Sequence, residues 1–89
     1  MSDLIKVPYS ELFQRAARIR HEADTIRAEI QTLKTNVESI QWIGRRADRF
    51  FTLWNDTLPE MEQWVTILEG FATELEDQAR RMQLADEAF

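Results

Sequence analysis

Between Tyr9 and Ile40 the apolar residues fall at Tyr9, Leu12, Ala16, Ile19, Ala23, Ile26, Ile30, Leu33, Val37 and Ile40, in alternating steps of three and four. That is an a/d heptad seam of a helix, with none of the period-two alternation of a strand. Gln14, Arg15, Arg18, Arg20, Glu22, Asp24, Arg27, Glu29, Gln31 and Lys34 lie between the seam positions and belong on a solvated face. Ala16 and Ala23 are small seam residues, so a partner helix can approach closely there. Pro8 favours extended geometry at Val7 and suits a first helical turn. The pattern predicts an extended arm over residues 1–7 and helix 1 over about 8–40.

A second repeat runs through Ala47, Phe50, Trp54, Leu58, Met61, Val65, Leu68, Ala72, Leu75, Ala79 and Met82. Its steps alternate three and four except for two fours in succession at Phe50-Trp54-Leu58, a stutter that locally unwinds a left-handed supercoil. Pro59 comes next. It has no N–H for the carbonyl four residues back and crowds that turn. The repeat keeps its phase past the proline, which predicts one helix over about 45–86, kinked near Pro59, rather than two. Gly70 is tolerated inside it at about 1 kcal/mol relative to alanine.

The repeats stop between the two runs, at Gln41-Trp42-Ile43-Gly44. Glycine permits a tight turn or a positive φ. The reading is an all-α chain: a single domain, 1–89, folded as an antiparallel helix-turn-helix hairpin whose turn is 41–44. Helix 2 carries more apolar surface than one seam needs. Phe51, Trp64, Ile67 and Phe71 lie off its a/d line, and the last three make a second stripe at helical spacing. At ~1.5 Å per residue each helix is on the order of 50–60 Å long, too thin a pair to cover that stripe. The expected remedy is dimerisation into a four-helix bundle, with Phe51, Trp64, Ile67 and Phe71 at the interface.

The chain has no cysteine and a formal charge of −5. Disulfides and thiolate metal sites are excluded, and the acidic balance argues against nucleic acid as a partner. The N-terminus lacks the basic and apolar regions of a cleaved signal peptide, and no apolar run reaches the ~20 residues of a membrane span, so no stable membrane insertion is expected. His21 stands alone on the polar side of helix 1. No metal-ligand or phosphate-loop motif is present, so neither a cofactor nor enzymatic activity is expected. Arg45, Arg46 and Arg49 occupy the first turns of helix 2, where positive charge opposes the macrodipole. Two readings stand: an acidic partner surface opposite them, or solvated arginines that the Asp48 carboxylate offsets locally.

Two long helices in about ninety residues, with Trp42-Ile43-Gly44 between them, resemble the WXG family of type VII secretion proteins, small Trp-x-Gly proteins related to the early secreted antigenic target. The resemblance spans essentially the whole chain, from Ile5-Lys6-Val7-Pro8 through Leu12 and Ala16 to Phe50 and Trp54. It implies a protein folded in the bacterial cytoplasm and secreted without a cleaved signal peptide, through a secretion ATPase. The implied partners are itself, as an antiparallel homodimer, or a sister WXG protein. The export signal would combine the turn residues Trp42 and Gly44 of one subunit with a C-terminal tail on the other. The strict tail form needs a tyrosine, and Tyr9 is the only one here. The looser form, an apolar residue, an acid four on and an apolar residue three beyond, fits Met82, Asp86 and Phe89. The rival reading is a cytoplasmic coiled-coil adaptor with no export role.

Overall fold

The computed structural model describes residues 8–87. The arm expected over residues 1–7, and Phe89, lie outside them. Two helices, α1 (Tyr9–Glu38) and α2 (Arg45–Glu87), pack against each other. Pro8 sits one residue outside α1, in extended geometry (φ −59°, ψ 142°), and its carbonyl accepts the N–H of Glu11 at 3.0 Å. At the other end the Ser39 N–H donates to the Thr35 carbonyl (3.2 Å) and its hydroxyl to the Asn36 carbonyl (3.0 Å), which occupies two of the acceptors a helix end leaves open. Gly44 does not end α1. It has φ +130°, and its carbonyl accepts the Asp48 N–H at 3.0 Å, so it opens α2. α2 then continues through Pro59 as one helix.

Ion pairs fix how the helices face each other. Arg20 grips Glu76 with two hydrogen bonds, Nη2 to Oε1 at 2.7 Å and Nε to Oε2 at 2.9 Å, and Nη2 also donates to Thr73 Oγ1 at 2.9 Å. One heptad along, Arg27 Nη2 reaches Glu69 Oε2 at 2.7 Å. Seven residues up α1 correspond to seven residues down α2, so the helices are antiparallel and in constant register. The doubly bonded guanidinium holds the Glu76 carboxyl below its usual value of 4.5.

The buried residues are few and small. α1 buries Ala16, Ala23 and Val37; α2 buries Ala47, Trp54, Val65, Ala72 and Ala79. Within α2 the steps are seven, then eleven between Trp54 and Val65, then seven twice. The eleven spans the stutter read in the sequence, because an extra four-residue step brings the line back to the same face. In α1 the a/d seam splits. Ala16, Ala23 and Val37 are buried, but Ile26 and Leu33 in the other column are exposed, as is Ile40 just past the end of the helix. One helix covers one line of its neighbour, not both columns.

The result is a rod of 69 × 24 × 17 Å, with a radius of gyration of 20.2 Å where a compact domain of this length has about 12 Å. Its accessible surface of 7219 Å² exceeds the roughly 5500 Å² of a compact monomer of 10.6 kDa.

The two glycines should respond oppositely to alanine. Neither has an atom within 4 Å of an added Cβ. Gly70→Ala should raise unfolding free energy by about 0.8–1 kcal/mol, since only helix propensity changes. Gly44→Ala should lower it by about 1–3 kcal/mol, since the positive φ strains any side chain. Urea titration of both variants checks this, and two changes of the same sign would refute it. The Glu76 pair also predicts an acid response. A carboxyl with a lowered folded value contributes stability that is complete above its unfolded value and lost as pH falls through the folded one. Stability should therefore drop as pH falls below about 4.5, and Glu76→Gln should flatten that part of the profile.

Candidate functional site

The chemistry-bearing part of this molecule is its surface, and the two long sides of the hairpin differ. At about 100° per residue, Glu62, Glu69 and Glu76 fall on one flank of the buried line of α2. There Glu69 meets Arg27 and Glu76 meets Arg20 of α1, which closes that side. Leu53, Trp64, Ile67 and Phe71 fall together on the other flank. Leu53 is 65% exposed, Trp64 64% and Phe71 58%. On α1 exposed Ile26 and Leu33 lie on the side of the seam away from Arg20 and Arg27. Both apolar lines therefore lie on the same side of the hairpin, as one open face along the rod. Trp64 and Ile67 also wall an open groove with Pro59, Glu60 and Gln63.

Of the four residues assigned to an interface from sequence, Trp64, Ile67 and Phe71 share this face, and Phe51 does not. Its position along α2 puts it on the ion-paired flank with Glu69, half-buried, with its ring edge-on to Phe50 at 5.2 Å. Distance from the a/d line alone did not tell which side of the line a residue takes. Leu53 and the α1 column were missed. Leu53 lies eleven residues before Trp64, three helical turns, and that spacing could have found it.

At the turn, the Trp42 ring packs on Phe50 with centroids 5.8 Å apart and remains partly exposed, while Ile43 is 97% exposed. The tryptophan built into the hairpin is Trp54, 8% exposed. Its Nε1–H donates to Glu38 Oε2 at 3.1 Å, so the last residue of α1 is tied to the third turn of α2. The bond gives the indole N–H the partner that a buried tryptophan needs.

In the tail, Met82 is half-buried and Asp86 exposed on the last turns of α2; Phe89 lies outside the described residues. Trp42 and Asp86 are at opposite ends of the 69 Å rod, so one chain does not bring turn and tail together. Arg45, Arg46 and Arg49 are exposed, and the ion pairs among the described residues engage Arg15, Arg20, Arg27 and Arg80 instead. Among those residues no His, Asp and Glu group is placed to hold a metal ion, and no helix is long and apolar enough to cross a membrane.

Trp54→Phe keeps most of the buried ring and removes the donor to Glu38. It should cost about 1–2 kcal/mol, against about 3–5 kcal/mol for Trp54→Ala. Thermal or urea unfolding separates the two, and a Phe variant as stable as the parent would show that the bond to Glu38 contributes nothing.

The sequence matches the family model described as WXG100, proteins of 100 residues with WXG, over residues 4–87. Among solved structures, the fold is similar to crystal structures of the secreted protein EsxB from Bacillus anthracis str. Sterne. For one point mutant of EsxB the TM-score is 0.81 at 25% identity, with 100% of each chain covered. For the selenomethionine-labelled form it is 0.80 at 27% identity, covering 97% of this chain and 99% of that one. For a second point mutant it is 0.78 at 25% identity, covering 93% and 98%. No curated protein matches the sequence significantly.

Proposed function

The chain belongs to the WXG100 family, and we propose that it is a small secreted or export-associated protein of a type VII-like secretion system that acts by binding rather than catalysis. The observation that carries this reading is the open apolar face. Its tryptophan, phenylalanine and leucine side chains project from a rod with about 1700 Å² more surface than a compact monomer of its mass. Obligate homodimers bury about 2000–5000 Å² in total, or roughly 1000–2500 Å² from each chain, which is the size of that excess. Two hairpins laid face to face form the four-helix bundle, either as a homodimer or with a sister protein of the same family.

The separation of turn and tail supports an antiparallel arrangement. With the rods reversed, Trp42 and Gly44 of one subunit come to the end where the other carries Met82 and Asp86. The exposed arginines of the first turns of α2 then face acidic groups across the interface. This composite surface is what a secretion ATPase would read. The solved relatives are described as secreted, and the same fate is proposed here, with export of the folded protein without a cleaved signal peptide.

Fractionation of cells that carry the secretion genes tests it. Unprocessed protein should appear outside the cells. Asp86→Lys with Glu87→Lys should lower export several-fold while leaving the dimer intact, and Arg45→Glu with Arg46→Glu should restore part of it. Trp64→Ala should instead weaken association, at about 3–5 kcal/mol for a buried aromatic. Undiminished export of the tail variant would remove the composite signal and leave Trp42-Ile43-Gly44 as a structural turn.

A further inference from the structure

We infer that Ile43, the middle residue of Trp42-Ile43-Gly44, is the side chain that enters an apolar pocket of a protein partner, and that Trp42 and Gly44 position it. The inference rests on the reading of the turn as half of an export signal and names the group within it that is recognised. Gly44 has φ +130°, yet no atom lies within 4 Å of the place its Cβ would take. The position therefore needs glycine for its backbone and not for close approach. Trp42 packs on Phe50 at 5.8 Å, and Phe50 meets Phe51 edge-on at 5.2 Å, so a line of three rings anchors the turn to the start of α2. Both outer residues of the motif hold the turn.

Ile43 holds nothing, since 97% of it is exposed. Short turns favour Gly, Asn, Asp and Ser, and a polar residue in its place would cost the hairpin nothing. A β-branched apolar residue stands there instead. Trp42 and Ile40 beside it are each 45% exposed, so the end of the rod carries a small apolar tip with Ile43 at its point. Charge decides which kind of partner fits the tip. In the antiparallel arrangement Asp86 and Glu87 of the other subunit come to this end, and together with Asp48 they balance Arg45, Arg46 and Arg49. A tip without net charge, on a chain of formal charge −5, has no attraction for an anionic lipid surface. A protein pocket with an apolar floor, wide enough for one aliphatic side chain, suits it, with the exposed edge of Trp42 at the mouth.

Export from cells that carry the secretion genes, melting temperature and native mass are read for each variant. Ile43→Asp should be exported at least about tenfold less than the parent, the factor that full burial of one aliphatic side chain carries, with melting temperature and mass unchanged. Ile43→Leu, of the same volume, should be exported like the parent. Trp42→Phe keeps a ring against Phe50 and should also be exported like the parent, whereas Trp42→Ala should lose melting temperature together with export. Parent-like export of Ile43→Asp, while Asp86→Lys with Glu87→Lys stays in the cells, overturns the inference and leaves the tail as the signal. Parent-like export of both removes the composite reading as well. Loss of export in Trp42→Phe at an unchanged melting temperature makes the indole the recognised group and overturns the role given to Ile43. Sedimentation of the parent, but not of Ile43→Asp, with phosphatidylglycerol vesicles gives the tip a lipid partner and overturns the protein pocket.

Discussion

The close approach of two helices through alanines governs the rest of this structure. Ala16, Ala23, Ala72 and Ala79 are fully buried, and the larger buried residues are Val37, Trp54 and Val65. A seam of small side chains brings backbones near each other and gains dispersion contacts along the rod, but it removes little apolar area from water. At roughly 25 cal/mol per Å², a line of methyl groups stabilises far less than a core of leucine and phenylalanine. The large side chains stand beside the seam instead of within it. The narrow core and the exposed stripe have the same cause.

Asymmetry between the two long sides turns that cause into specificity. On one side, bidentate and single ion pairs join Arg20 and Arg27 to Glu76 and Glu69. Partly exposed pairs add little to stability, but they fix which flanks of the two helices meet; since Glu62, Glu69 and Glu76 repeat every seven residues, a slip of one heptad would still offer each arginine a glutamate. The opposite face is left apolar and without competing ion pairs along its middle. It keeps polar groups at its rim and its arginines at the turn.

Much of this was legible in the residues. The steps of three and four gave both helices and their antiparallel pairing, and Trp42-Ile43-Gly44 located the turn. The stutter at Phe50-Trp54-Leu58 reappeared as the eleven-residue step between buried Trp54 and Val65. Periodicity did not show which column of an a/d seam faces inward, because both columns of α1 are apolar; only the position of Arg20 opposite Glu76 decides that Ile26 and Leu33 face out. Phe51, grouped with the stripe residues as an interface candidate, takes the other flank for a related reason, since a residue off the line has two flanks to choose from. Nor did a glycine beside a tryptophan reveal which helix it serves. The +130° φ of Gly44 and the bond from Asp48 assign it to α2.

The tie between Trp54 and Glu38 also sets an order of assembly. It closes a loop of sixteen residues, whereas Arg27 with Glu69 spans forty-two and Arg20 with Glu76 fifty-six. Loop closure costs more entropy as the loop grows, but once the turn is tied each later pair closes only the short stretch beyond the last. Closure from Gly44 outward is thus the route of least loop entropy, one of low effective contact order despite the long-range pairs. The end that carries Tyr9 and Glu87 is held by the pairs with the longest loops and the turn end by the shortest, so the two ends of one uniform-looking rod differ in the entropy that closing them costs.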